Sequence, residues 1–199
     1  MLDDVFDRTI DLEAYRGKKV LLAFFRHAGC PFCNLRVHNL MNVHQDLQEK
    51  GLEMIFFFES KKHIILRSSF HQEISPIPLI SDPEKIQYDQ YGLESSALKS
   101  AVGHVRSFIG TAIRAKLKGL PLHPMADGES ITTIPAEFLL DESLIIRELH
   151  YSQHLSDRMN IEQVYQFAAR KPVVTLPSSS DPATRILSNG AFRSGVSNL

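Results

Sequence analysis

The chain has 199 residues, 43% of them hydrophobic and 23% charged, with a formal net charge of −1. That length supports one domain with a full core, and the charge balance excludes a globally basic nucleic-acid binder. No apolar run reaches the length of a bilayer-spanning helix, so no nucleic-acid and no membrane partner is expected.

Only Cys30 and Cys33 are cysteines, too few for a disulfide scaffold. The start, Met1-Leu2-Asp3-Asp4, lacks the basic and apolar parts of a signal peptide. A reducing, cytoplasmic setting is the expectation.

In chain order, residues 1–17 read as a polar lead-in closed by a turn at Arg16-Gly17. The apolar run within Lys18–Phe25 predicts a buried strand. A helix is expected from Pro31 to about Lys50, striped by Leu35, Leu40, Val43 and Leu47 and closed by Gly51. Leu52–Glu59 predicts a second buried strand, Lys61–Gln72 a helix and Ile77–Ile80 a short strand. Asp82 is read as the cap of a helix opened by Pro83 and ended by Gly92.

Residues 95–126 carry apolar residues at helical spacing, with Lys99, Arg106, Arg114, Lys116 and Lys118 and no acid. This basic block reads as a helix packed on the sheet edge, as a cover over the site, or as a dimer or membrane-surface contact. Glu137–Leu140 and Leu144–Glu148 predict strands around Asp141-Glu142-Ser143. A last helix is expected from the Asn160 cap to about Lys171. The Ser-, Pro- and Gly-containing stretch 172–199 reads as a flexible tail or arm. The order implies an α/β protein: a central mixed sheet with helices on both faces, forming one domain over 1–171 with an inserted helical segment at 95–131.

Cys30-Pro31-Phe32-Cys33 lies between the first long strand and its helix. Proline suits the first helical position, which sets Cys30 at the helix N-terminus. Unpaired amides and the helix dipole there favour a thiolate. A C-x-x-C pair near a βαβ pattern reads as a redox pair, with Cys30 the nucleophile and the less exposed Cys33 the resolving thiol. The alternatives are two inert core cysteines, or a zinc site that adds His27 or His38. Arg26, four residues before Cys30, reads either as a cation that lowers the thiol pKa and orients an anion, or as a solvated strand-end residue. His27 reads as an acid or base, or as a plain loop histidine.

Several motifs in order resemble the alkyl hydroperoxide reductase/thiol-specific antioxidant superfamily of thioredoxin-fold proteins, to which peroxiredoxins belong. They are Tyr15-Arg16-Gly17-Lys18-Lys19, the Phe24-Phe25 strand with its Cys turn, Ile80-Ser81-Asp82-Pro83 with Tyr91-Gly92, and Phe138-Leu139-Leu140-Asp141. Asp157-Arg158-Met159-Asn160 resembles a segment before the family's last helix. The resemblance covers roughly 8–170 and implies a thioredoxin-like three-layer α/β/α sandwich. Thr133-Ile134-Pro135 matches the family's cis-proline loop, which implies that Ile134 lies near Cys30 with its backbone exposed to pair with a substrate.

The chain also departs from the usual Pro-x-x-x-Thr-x-x-Cys pattern of peroxiredoxins. Ala23 and His27 replace the proline and the threonine, and Pro135 stands where many members have an arginine. This pattern is similar to that of C-x-x-C peroxiredoxin-like proteins, including selenoprotein L-like sequences. A peroxide site needs donors for the O–O bond, and Arg26 and Arg158 are the candidates.

The implied activity is that of an antioxidant oxidoreductase. Cys30 attacks a peroxide and Cys33 closes a disulfide; the alternative is thioredoxin- or glutaredoxin-like exchange with protein or glutathione disulfides. An external thiol from a thioredoxin or glutathione system would reset the pair. No bound cofactor or metal is implied, and a homodimer is open. A non-catalytic redox sensor and a zinc module are the readings outside enzymology.

Overall fold

The computed structural model describes residues 1–93, 95, 109–126, 129–130 and 132–171. The strands are β1 (Leu2–Asp3), β2 (Thr9–Ile10), β3 (Lys19–Phe24), β4 (Leu52–Phe58), β5 (Leu79–Ser81), β6 (Ala136–Leu140) and β7 (Ile146–Tyr151). The helices are α1 (Pro31–Glu49), α2 (Lys62–Ile65), α3 (Ser69–Gln72), α4 (Ile86–Gln90), α5 (109–117) and α6 (Ile161–Ala169).

A five-stranded mixed sheet in the order β5-β4-β3-β6-β7 forms the centre. β3 runs parallel to β4 and antiparallel to β6. β3 is buried on both faces, as its near-continuous apolar run requires. Its side chains alternate. Leu21 and Ala23 join a cluster with Val37 and Leu40 of α1 and Val164 and Phe167 of α6. Val20, Leu22 and Phe24 join Tyr88 of α4 and Phe138 on the other face. Three layers result.

α1 begins one residue after Cys30, with proline at its first position. Arg36 on α1 reaches across to Glu137 on β6 through two bonds of 2.7 Å, and Met159 N donates to the same carboxylate at 3.1 Å. This buried pair ties the helix bearing the cysteines to the sheet and to the approach to α6.

Some sequence expectations need correction. Residues 1–17 hold a β1–β2 hairpin and a short 3-10 turn at Leu12–Tyr15, organised by Asp4, whose carboxylate accepts from Phe6 N and Arg8 N at 2.9 Å each. The helix expected at Lys61–Gln72 is two short ones, α2 and α3. Asp82 does cap α4, accepting from Ile86 N and Gln87 N, but Pro83-Glu84-Lys85 first make a turn in which Lys85 has φ +59°. Leu144 sits in the hairpin turn at φ +62°, so β7 starts later than expected, at Ile146. Of the basic block, 109–117 is helical and 96–108 lies outside the described residues, as does the expected tail at 172–199.

Candidate active site

β3 delivers the chain to the Cys turn, and the turn is fixed by bonds on every side. Cys30 N donates to His27 O at 3.0 Å, Ala28 N donates to Ser60 Oγ at 2.8 Å, and Asn34 N donates to Cys30 O at 3.0 Å. Cys30 is the N-cap of α1, with φ −74° and ψ 116°. Its sulfur therefore takes the position where helix amides lack intrahelical partners.

Both thiols are free and buried, at 1% exposure for Cys30 and 0% for Cys33. The expected difference in exposure is absent, and the two differ in proton affinity instead. For Cys30, burial opposes ionisation, but the hydrogen bond from the Cys33 side chain and the Arg26 guanidinium outweigh it. The Cys33 backbone and Arg158 add to this, and the thiol is lowered to about 6. Cys33 is pushed up well above the ordinary thiol value by burial and then by its hydrogen bond and charge interaction with Cys30. Its Sγ also accepts from Arg26 N at 3.4 Å.

Arg26 is not a solvated strand-end residue. It is 2% exposed. Its Nη2 lies 3.4 Å from His27 Nε2, while Nε and Nη1 are buried without a hydrogen-bond partner among the described residues. Arg158 resembles it: Nη1 donates to Asp157 O at 2.7 Å, while Nε and Nη2 are buried and unpaired among the described residues. The charges of both guanidinium groups act on both thiols. Leaving charged donors buried and unsatisfied is costly in a folded protein unless a ligand completes them.

A strap after α5 closes over the turn. Pro121 O accepts from Asn34 Nδ2 at 2.8 Å. A Cβ added to Gly29 would lie 2.7 Å from His123 Nδ1 and 2.9 Å from its Cε1, so the strap's close approach requires glycine there. Further on, Glu129 accepts from Ser60 Oγ and lies 3.7 Å from His27 Nδ1. Ser130 N donates to Glu59 Oε1 at 2.8 Å, and Thr133 Oγ1 donates to Glu59 Oε2 at 2.7 Å.

The Ile134-Pro135 loop departs from the resemblance in two ways. The peptide bond is trans, and Ile134 is 2% exposed within the cluster that holds Cys30, Phe32 and Cys33. Ile134 shares that cluster with the cysteines, and it is buried rather than an open edge. Thr133 is tied to Glu59 and bridges to Ser95, while Pro135 O already accepts from Ser152 N at 3.0 Å. Both chain neighbours of Ile134 are therefore held in place, and Ile134 between them is buried.

Sequence reading missed Ser60, Glu59, Glu129 and Asn34, because polar residues far apart in the chain carry no periodic signal. Gly29 directly before Cys30 was the one local hint of a tight approach. Among the described residues, no group of three or more His, Cys, Asp or Glu side chains is placed to hold a metal ion. No helix among them is long and apolar enough to cross a membrane.

A mixed sheet in this strand order, with a C-x-x-C pair capping the helix after its central strand, defines a thioredoxin-like fold with paired thiols. Residues 1–149 match the AhpC/TSA family model, and the chain belongs to that family. Its fold is similar to that of Xanthomonas campestris peroxiredoxin Q (10% identity, 84% of this chain and 86% of that one, TM-score 0.56). It is also similar to a putative thiol:disulfide interchange protein DsbE from Chlorobium tepidum (14% identity, 85% and 92%, TM-score 0.54). Peroxidoxin BcpB from Mycobacterium tuberculosis is a third (13% identity, 84% and 89%, TM-score 0.52). No curated protein sequence matches the chain. The family points in general terms to thiol peroxidase or thiol–disulfide oxidoreductase activity.

Proposed function

We propose that the protein is a thiol peroxidase in which Cys30 is the nucleophile and Cys33 the resolving thiol. The arrangement that carries this reading is Cys30 at the N-terminus of α1, with Cys33 and the Arg26 and Arg158 charges acting on it. They lower the Cys30 pKa while burial and Cys30 raise that of Cys33, which makes Cys30 the thiolate and Cys33 the thiol held against it. The Cys30 thiolate attacks the distal oxygen of a hydroperoxide and the O–O bond breaks. The departing alkoxide takes a proton from water, leaving an alcohol and a sulfenic acid at Cys30. Cys33 then gives up its proton and bonds to the Cys30 sulfur, and hydroxide and proton leave as water. Two external thiols return both cysteines to the reduced state and become a disulfide themselves.

Arg26 and Arg158 take over from the absent threonine and from the arginine replaced by Pro135. Their unpaired N–H groups are fixed donors for the peroxide oxygens. Two observations favour a small hydroperoxide over a protein disulfide. Cys30 is buried beneath the strap, and Ile134 is buried rather than open to a substrate strand.

The test is turnover of a small hydroperoxide with a dithiol as reductant. Cys30→Ser should remove it, and Cys33→Ser should keep the first oxidation but lose recycling through the intramolecular disulfide. Full turnover by Cys30→Ser contradicts the proposal.

A further inference from the structure

The inserted segment presents a surface that the thiol chemistry does not use. On α5, Ile109, Ile113 and Leu117 are 75%, 54% and 82% exposed. They recur every fourth residue, so they form one stripe along the helix. The opposite side, carrying Thr111 and Ala115, is the buried one. The stripe is not a core face left open at random: the helix already has a packed side, and its largest apolar residues point away from it. Leu122 and Met125, 39% and 44% exposed, follow in the chain on the strap that closes over the Cys turn. Isolated exposed apolar residues are ordinary, but a run of five within 17 residues marks a contact surface.

The charge around the stripe says what it contacts. Arg114 and Lys116 flank it and Lys118 follows, all three exposed. Residues 95–126 contain no acid, in a chain whose overall formal charge is −1. Among the described residues none of the three cations meets a carboxylate: Arg114 Nε donates to Gly110 O at 3.4 Å and Lys118 Nζ lies 3.2 Å from His38 Nε2. An apolar stripe bordered only by cations suits a surface that offers hydrocarbon beneath a layer of negative charge. A second copy of the same face would bring like charges together.

We propose that α5 docks on an anionic lipid surface, with Ile109, Ile113 and Leu117 entering the headgroup–acyl boundary and Arg114, Lys116 and Lys118 meeting lipid phosphates. Against the general expectation of no membrane partner, this takes up the membrane-surface reading of the basic block, and it concerns surface attachment only. It goes beyond the peroxidase reading and does not depend on it, because binding is read without turnover.

The experiment is co-sedimentation of the full reduced chain with phosphatidylcholine vesicles, with and without phosphatidylglycerol, at low and high salt. The expected result is binding that requires phosphatidylglycerol and fades with salt. Lys116→Glu should weaken it about tenfold, and Ile113→Glu at least as much. Both side chains are solvent-facing, so the variants should keep the wild-type melting temperature. If Ile113→Glu does not, Leu117→Glu replaces it. Three results overturn the proposal: no binding to either vesicle, equal binding to both, or a solution dimer that Ile113→Glu turns into a monomer without any vesicle binding.

Discussion

Cys30 and Cys33 lie one helical turn apart, and their surroundings push their proton affinities in opposite directions. The helix position was legible from Cys30-Pro31 in the sequence; for Arg26 the sequence left two readings open, because spacing cannot show whether an arginine turns inward. Alkylation of Cys30 by a neutral reagent should rise with pH around a midpoint of about 6. Arg26→Met should shift that midpoint up by about one unit or more and slow reaction with peroxide by about a hundredfold. A midpoint unmoved by Arg26→Met would mean that the guanidinium does not act on the thiol.

His71 sets a second pH dependence. It is buried, its Nε2 donates to Asn34 Oδ1 at 3.1 Å, and burial, then the His123 charge, lower its pKa to about 4. The unfolded chain takes up this proton near pH 6.5 while the folded chain resists until about 4. Stability from this group is therefore present above pH 6.5 and is lost as pH falls toward 4. Denaturant melts between those pH values should show a loss that His71→Gln reduces.

At the scale of elements, strands and long helices were legible because burial leaves a pattern. β3 and β4 read as near-continuous apolar runs, and α1 was found within a residue of its ends. The parts that escaped are held by side-chain bonds, some local and some to distant parts of the chain, that leave no periodic pattern. The β1–β2 hairpin depends on Asp4, and the turn before α4 depends on Asp82. The strap is the clearest case, since it has no periodicity and is placed by Asn34, Ser60 and Glu59. Gly29→Ala should push it off the Cys turn, costing about 1–3 kcal/mol and speeding alkylation of Cys30. Slower or unchanged alkylation would show that the strap does not control access.

The Arg36–Glu137 pair makes another prediction at this scale. Arg36→Met leaves Glu137 buried beside Met159 N with no cation, and should cost about 3–5 kcal/mol in a urea melt. The double variant Arg36→Met/Glu137→Met should recover much of that loss. A single variant as stable as wild type would show that the pair does not brace α1 on the sheet.

At the scale of the molecule, the fold puts all its unusual chemistry at one end of the sheet. The C-terminal ends of β3 and β4 lead into the Cys turn and into Glu59-Ser60, and the Ile134-Pro135 loop enters β6 at the same end. Ordered motifs made this architecture legible from the sequence. At Ile134 and Pro135 the chain departs from what the resemblance implies, with a trans bond and a buried Ile134. The central claim is that this rearranged end still makes Cys30 a peroxide-reactive thiol. The most direct measurement is the intact mass of reduced protein over the first seconds after mixing with hydrogen peroxide, beside Cys33→Ser. The account predicts rapid loss of two hydrogens in the wild type and gain of one oxygen in the variant. Unchanged masses in both would contradict it.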